Sequence, residues 1–120
     1  MVIYSIGDAV PFKLIGTVPD MSKYTKYKYT FHDTLAKSFD AVDASSIKVY
    51  VADDKAGTNN KKGITSYFEI TSIKDSNSKI SNITVSTNDL KGIEGVEEGK
   101  YIIVEYSAVL NSDACIGQGQ

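Results

Sequence analysis

The stretch Tyr24-Thr25-Lys26-Tyr27-Lys28-Tyr29-Thr30-Phe31-His32-Asp33-Thr34-Leu35 decides how this chain is read. Its residues alternate without a slip, the period-two signature of a strand half buried against a core. Tyr27, Tyr29, Phe31 and Asp33 share one face; Lys26, Lys28, Thr30 and His32 share the other. The first face is aromatic and predicts a core side, the second a wet one. Asp33 is the unusual member, a carboxylate at the end of an apolar face. Such a group pairs, hydrogen-bonds or stays protonated, because an isolated buried charge is too costly. The plainer reading puts Asp33 just past the strand, capping the turn that opens at Thr34.

Outward from this stretch the chain breaks into short strand-like runs separated by turn signals, which predicts an all-β antiparallel sandwich. Val10, Phe12, Leu14 and Val18 keep period two, so residues 9–18 form a strand, and Pro11 marks an edge or a strand start. The stretch from Tyr24 to Asp33 is then the central strand, and Leu35 to Phe39 a helical turn or packed loop. Ile47, Val49 and Val51 mark another strand. Residues 53–63, rich in Gly, Asn and charge, are expected to be a mobile loop. Ile64, Phe68 and Ile70 suggest the next strand, residues 72–79 a second polar loop, and Ile83 and Val85 a short strand. Residues 87–90 could open a short helix broken by Gly92 and Gly95. Tyr101 to Leu110 is the strongest strand, with Ile102, Val104, Tyr106, Ala108 and Leu110 as one apolar face.

Size and composition bound the function. A chain of 120 residues is one domain with one core. Eight tyrosines, with many Val, Ile and Thr, favour strands. All thirteen basic residues are lysine, and the net charge is −2. Without the planar guanidinium fork, nucleic-acid or phosphate recognition is disfavoured. The sequence shows no secretion signal, membrane span or anchoring tail. Because it starts within the apolar run Met1-Val2-Ile3-Tyr4 and stops in Gly117-Gln118-Gly119-Gln120, an excised piece of a longer protein is expected.

The usual chemistry is sparse. One histidine and one cysteine build no zinc pattern, and no cofactor or metal is expected. His32 and Asp33 are neighbours on opposite strand faces, so they form no relay with a serine. Asp53-Asp54 lacks the spacing of a calcium loop. Glycines occur singly, without a phosphate cradle. Cys115 reads as a small buried hydrophobe. His32 reads as a solvated strand residue.

Three stretches together carry a resemblance. They are Ser5-Ile6-Gly7-Asp8-Ala9-Val10-Pro11-Phe12-Lys13-Leu14, Tyr27 to Leu35 with its Phe31-His32-Asp33-Thr34-Leu35 end, and Val104-Glu105-Tyr106-Ser107-Ala108-Val109-Leu110-Asn111. With Thr17-Val18-Pro19-Asp20-Met21, they resemble the isopeptide-forming D2 domain of Gram-positive pilin backbone subunits. The resemblance runs from about Ser5 to Gly117. It implies an immunoglobulin-like sandwich of the collagen-adhesin A type, extracellular and wall-anchored within a longer polypeptide. It also implies a single-turnover, autocatalytic cross-link rather than an enzyme. A lysine amine attacks an asparagine carboxamide, an acid assists, and ammonia leaves. Matched by motif, the acid is Asp33 and the acceptor Asn111, with Tyr27, Tyr29 and Phe31 lining the site.

Two departures follow. Asn111 shares parity with Glu105 and Ser107 on the wetter face, so a bulge or strand end near Leu110 would have to turn it inward; otherwise it is a turn residue of Asn-Ser-Asp. In the family the lysine precedes the Ile-Gly-Asp turn, and here none precedes Lys13. The nucleophile is therefore expected N-terminal to Met1, with Lys13 as the in-chain fallback. The chain reads as lacking a terminal strand, truncated or split. Its expected partners are neighbouring pilin domains or a lysine-bearing strand from another chain, with no nucleic acid or membrane. Two other classes remain: an adhesive module binding host protein or carbohydrate through loops 53–63 and 74–79, and a small enzyme pairing Asp33 with Glu69 or Glu105.

Overall fold

The computed structural model describes residues 3–115, and of Cys115 only the backbone. Strands β1 (Ala9–Thr17), β2 (Tyr29–Leu35), β3 (Lys48–Ala52), β4 (Lys62–Gly63), β5 (Glu69–Lys74), β6 (Ser81–Thr87) and β7 (Tyr101–Val109) form two sheets. One runs β1-β7-β3-β4 and the other β2-β6-β5. Every strand pair is antiparallel. The only helical pieces among the described residues are short 3-10 turns.

The expected alternation builds the core. On β7, Ile102, Val104, Tyr106 and Ala108 are buried, and on β3 so are Val49 and Val51. They face Leu35, Ile83 and Val85 of the second sheet, while Leu90, Ile93, Val96, Val18 and Met21 complete the cluster. Each such side chain contributes about 1.5–3 kcal/mol when fully buried. The aromatic stretch behaves differently from its pattern in two respects. Its strand begins only at Tyr29, because Tyr27 is hooked elsewhere. The Tyr27 amide donates to Asp89 Oδ1 (3.1 Å) and its carbonyl accepts from the Leu90 amide (2.7 Å). And β2 is an edge strand, not a central one, paired only to β6. Tyr27, Tyr29 and Phe31 are accordingly half-buried.

Other boundaries shift for local reasons. A 3-10 turn at Thr65–Tyr67 interrupts the run from Ile64 to Ile70, and β5 continues to Lys74, past the expected start of the polar loop. Residues 87–90 open no α-helix; a single 3-10 turn spans Leu90–Gly92. The loop after β3 is tied down by its own side chains. Asp54 accepts from the Thr58 hydroxyl (2.6 Å) and from the Thr58 and Asn59 amides (2.9 Å each), and Asn60 donates to Asp53 (2.7 Å). The loop folds over the outer face of the first sheet, where Gly57 lies against Ile103. That cover explains why Ile103, on the outward parity of β7, is nevertheless fully buried.

Along one side of the sandwich run the edge strands β1 and β2, neither of which has a further strand beside it among the described residues. They meet at Gly16, which sits directly under the Tyr29 hydroxyl and the Phe31 ring. The Tyr29 hydroxyl donates to the Thr17 carbonyl (2.9 Å) and bridges the two sheets. Phe12 and Leu14 of β1, and Tyr29 and Phe31 of β2, are inner-face residues that remain half-buried.

Candidate functional site

Asp33 lies within β2, opposite Ile83 of β6 and on the inner face of its sheet. Its two oxygens have separate partners. Oδ1 accepts the amide of Thr34 (2.9 Å), but Thr34 and Leu35 continue the strand, so Asp33 does not lie past its end capping a turn, as the plainer reading of the sequence expected. Oδ2 accepts the hydroxyl of Tyr106, which crosses from the first sheet. Tyr106 is buried, and burial, reinforced by the hydrogen bond to Asp33 and its charge, holds its hydroxyl well above the usual tyrosine range. Phe12 stacks on Tyr106 with ring centroids 5.3 Å apart, and Phe39 meets Phe12 edge-on at the same separation. The acid thus sits at the end of a chain of aromatic rings.

Those rings differ in part from the ones expected. Tyr29 packs edge-on against Phe31 and Tyr27 against Tyr24, with centroids 5.4 and 5.2 Å apart. Tyr29 spends its hydroxyl on Thr17, and burial raises its pKa, with Tyr27 adding to the shift. Sequence reasoning missed the Tyr106 hydroxyl as the partner of Asp33, and Phe12 and Phe39 as the rings that pack behind Tyr106. One signal was present: a tyrosine at an inward position of an otherwise aliphatic strand brings a hydroxyl that needs a partner.

Asn111 belongs to a different network. β7 ends at Val109; Leu110 still exchanges backbone hydrogen bonds with Gly7 and Asp8 and bridges Phe39 on its other side. The Asn111 carboxamide donates to the Lys37 carbonyl (3.0 Å) and to Asp40 (3.2 Å), and its oxygen accepts the Asp113 amide (2.9 Å). It pins the segment after β2 to the end of β7. It lies five steps along the chain from Tyr106, at most roughly 16 Å at about 3.3 Å per residue of extended chain. Asp33 and Asn111 lie at the same end of the sandwich but share no hydrogen bond.

Lys13 projects from the outer face of β1. It donates to the Ala56 carbonyl (3.2 Å) and stands 3.9 Å from Glu105, which Lys61 approaches more closely at 3.2 Å. The fold therefore does not bring Lys13 to Asp33 or Asn111. Glu105 is an outer-face residue and Glu69 is exposed, so neither pairs with Asp33.

One lysine behaves unexpectedly. Lys74, at the inward parity of β5, is half-buried and donates to the Phe39 carbonyl (2.7 Å). It lies opposite Ser81, which is fully buried, and near Ser72 on the same face; neither serine hydroxyl has a hydrogen-bond partner among the described residues. The inner face at the Asp33 end of the second sheet is thus polar.

Among the described residues no group of three or more His, Cys, Asp or Glu is placed to hold a metal ion. No helix there is long and apolar enough to cross a membrane. His32 is exposed, as expected. The side chain of Cys115 and residues 116–120 fall outside the described residues, as does any lysine before Met1. With this geometry in hand, the chain was compared with protein-family models, curated proteins and solved structures. None of them matches it. The site must be interpreted from its own chemistry.

Proposed function

We propose that this chain is a structural domain of a Gram-positive surface pilin or adhesin, an immunoglobulin-like sandwich of the collagen-adhesin A type. Its task in that reading is a covalent cross-link between a lysine amine and Asn111, assisted by Asp33. The observation that supports it most is Asp33 itself. A carboxyl group on the inner face, gripped by a buried tyrosine hydroxyl beside stacked aromatic rings, sits where a structural sandwich needs no carboxylate. No described lysine amine is hydrogen-bonded to Asp33 or Asn111, and Lys13 is occupied on the outer face. The inward Lys74 is held by the Phe39 carbonyl, and in this reading the lysine comes from a strand that docks on the edge of β1, from the same polypeptide or another.

The step balances as follows. The neutral amine attacks Asn111 Cγ, the Cγ–Nζ bond forms and the Cγ–Nδ2 bond breaks. Asp33 takes the amine's proton and returns it to the departing nitrogen, which leaves as ammonia. For this the Asn111 carboxamide has to leave Lys37 and Asp40, and the segments after β2 and β7 have to shift to bring it to Asp33.

Intact mass spectrometry provides the test. The chain alone is expected to have its sequence mass. With a lysine-bearing strand peptide it forms an adduct that survives boiling in denaturant and weighs the sum of the two less one ammonia. Asp33→Ala and Asn111→Ala each abolish it. A chain that already lacks the mass of one ammonia, with Lys13 joined to Asn111, overturns the need for an outside lysine.

A further inference from the structure

The direction of the β1 backbone determines what its open edge can accept. Successive residues of a strand aim their N–H and C=O groups to opposite sides. Val18 gives its N–H to the Lys100 carbonyl (2.8 Å) and takes the Gly99 amide on its own carbonyl (3.0 Å), and the Asp8 carbonyl takes the Leu110 amide (3.0 Å). The even-numbered residues from Asp8 to Val18 therefore bond towards β7. Pro11, Lys13, Ile15 and Thr17 point the other way. The Thr17 carbonyl confirms the parity, because it reaches across to the Tyr29 hydroxyl instead of to β7.

This edge is closed at both ends and open in the middle. Pro11 has no N–H to offer, and the Thr17 carbonyl is already capped. Between them, the paired groups of Lys13 and Ile15 have no backbone partner among the described residues. On the inner side of this window lie the half-buried Phe12 and Leu14, with Phe31 across the gap. On the outer side lie Ile15, still 45% exposed, and Lys13, whose ion pair with Glu105 is long and shared with Lys61.

We infer that the open edge of β1 takes one short extended polypeptide strand, hydrogen-bonded at Lys13 and Ile15. Its inward side chains are apolar and cover Phe12, Leu14 and Phe31. Its outward side chain beside Lys13 is acidic and completes a charge that Glu105 only half satisfies. The incoming residue level with Phe12 lies in the row that leads through Tyr106 to Asp33. This position of a reacting lysine rests on the cross-linking reading above; the docking itself does not.

A lysine-free peptide separates the two. The probe is a short peptide alternating valine with glutamate and threonine, titrated into the full chain and followed by amide NMR. Binding is expected to shift the Lys13 and Ile15 amides and slow their exchange. Ile15→Pro removes an outward N–H without removing any β1–β7 bond, and should weaken binding roughly tenfold, the worth of one or two ladder bonds. Lys13→Glu should weaken the glutamate peptide, and a lysine-substituted peptide should restore binding to that variant. Unchanged Lys13 and Ile15 amides at millimolar peptide overturn the inference. So does an Ile15→Pro-sensitive dimer of the chain alone, which would make a second copy the occupant. Docking without a covalent adduct from the lysine version would leave this inference standing and sink the cross-linking reading.

Discussion

Tyr106 connects the two sheets through one hydrogen bond, and burial holds its hydroxyl above the usual tyrosine range. Replacing it by phenylalanine keeps the stack on Phe12 and leaves Asp33 Oδ2 without its partner. Tyr106→Phe is expected to cost about 1–3 kcal/mol of stability, read from urea unfolding near neutral pH. The pH dependence has a definite sign. The folded-state pKa of Tyr106 is raised above the unfolded value of 10.0, so its contribution is fully present below pH 10 and is lost as pH rises towards the folded value. Wild type should therefore lose stability more steeply than Tyr106→Phe above pH 10. Parallel curves for the two proteins would mean that the hydroxyl is not held protonated by the fold.

At the scale of elements, the loop between β3 and β4 shows what composition does not report. Its Gly, Asn and Lys content predicts mobility, and in the fold several of its polar residues hold specific partners. Asp54 caps Thr58 and Asn59, Lys61 pairs with Glu105 and covers the Tyr50 ring at 4.1 Å, and Lys13 holds the Ala56 carbonyl. Gly57 is the pivot. It has φ of +73°, and a Cβ there would lie 2.9 Å from Ile103 Cδ1. Gly57→Val is expected to destabilise the protein by about 1 kcal/mol or more, through backbone strain and loss of the cover on Ile103. Faster exchange of the Thr58 and Asn59 amides should accompany it. Unaltered exchange would show that the loop does not depend on its seat against the sheet.

For the whole molecule, the open side and the acid caps set the conditions under which the sandwich holds. Asp20, Asp43 and Asp75 are solvent-exposed and Asp54 is partly so, and each has its pKa lowered. In Asp20, Asp43 and Asp75 the first cause is a backbone amide, of Ser22, Ser45 and Ser78; in Asp54 it is the Thr58 hydroxyl. Depressed carboxylates contribute stability above their unfolded value, 3.8, and lose it as pH falls through their folded values. The four turns should therefore loosen together in acid, with amide exchange at Ser22, Ser45, Ser78 and Thr58 rising below pH 3.8 before the β6 and β7 amides respond. Simultaneous loss of all amides would show a single cooperative acid transition instead.

The strand character of the chain, its all-β class and the inner face of β7 were legible in the sequence, and Pro11 marked β1 as an edge or a strand start. They rest on local alternation and on proline's missing donor, which neighbouring residues alone determine. The same local rule placed Asp33 on the inner face of its strand. What it could not decide was which residues from distant strands complete that site. Tyr106 reaches Asp33, Phe12 stacks on Tyr106, Asn111 turns instead to Lys37 and Asp40, and Lys13 goes to the outer face. Whether the aromatic stretch was central or an edge was equally out of reach, because period two reports a buried face and not the number of neighbours a strand has. Sheet order, cross-sheet partners and the open side come from packing between strands far apart in the chain, so only the tertiary structure decided them.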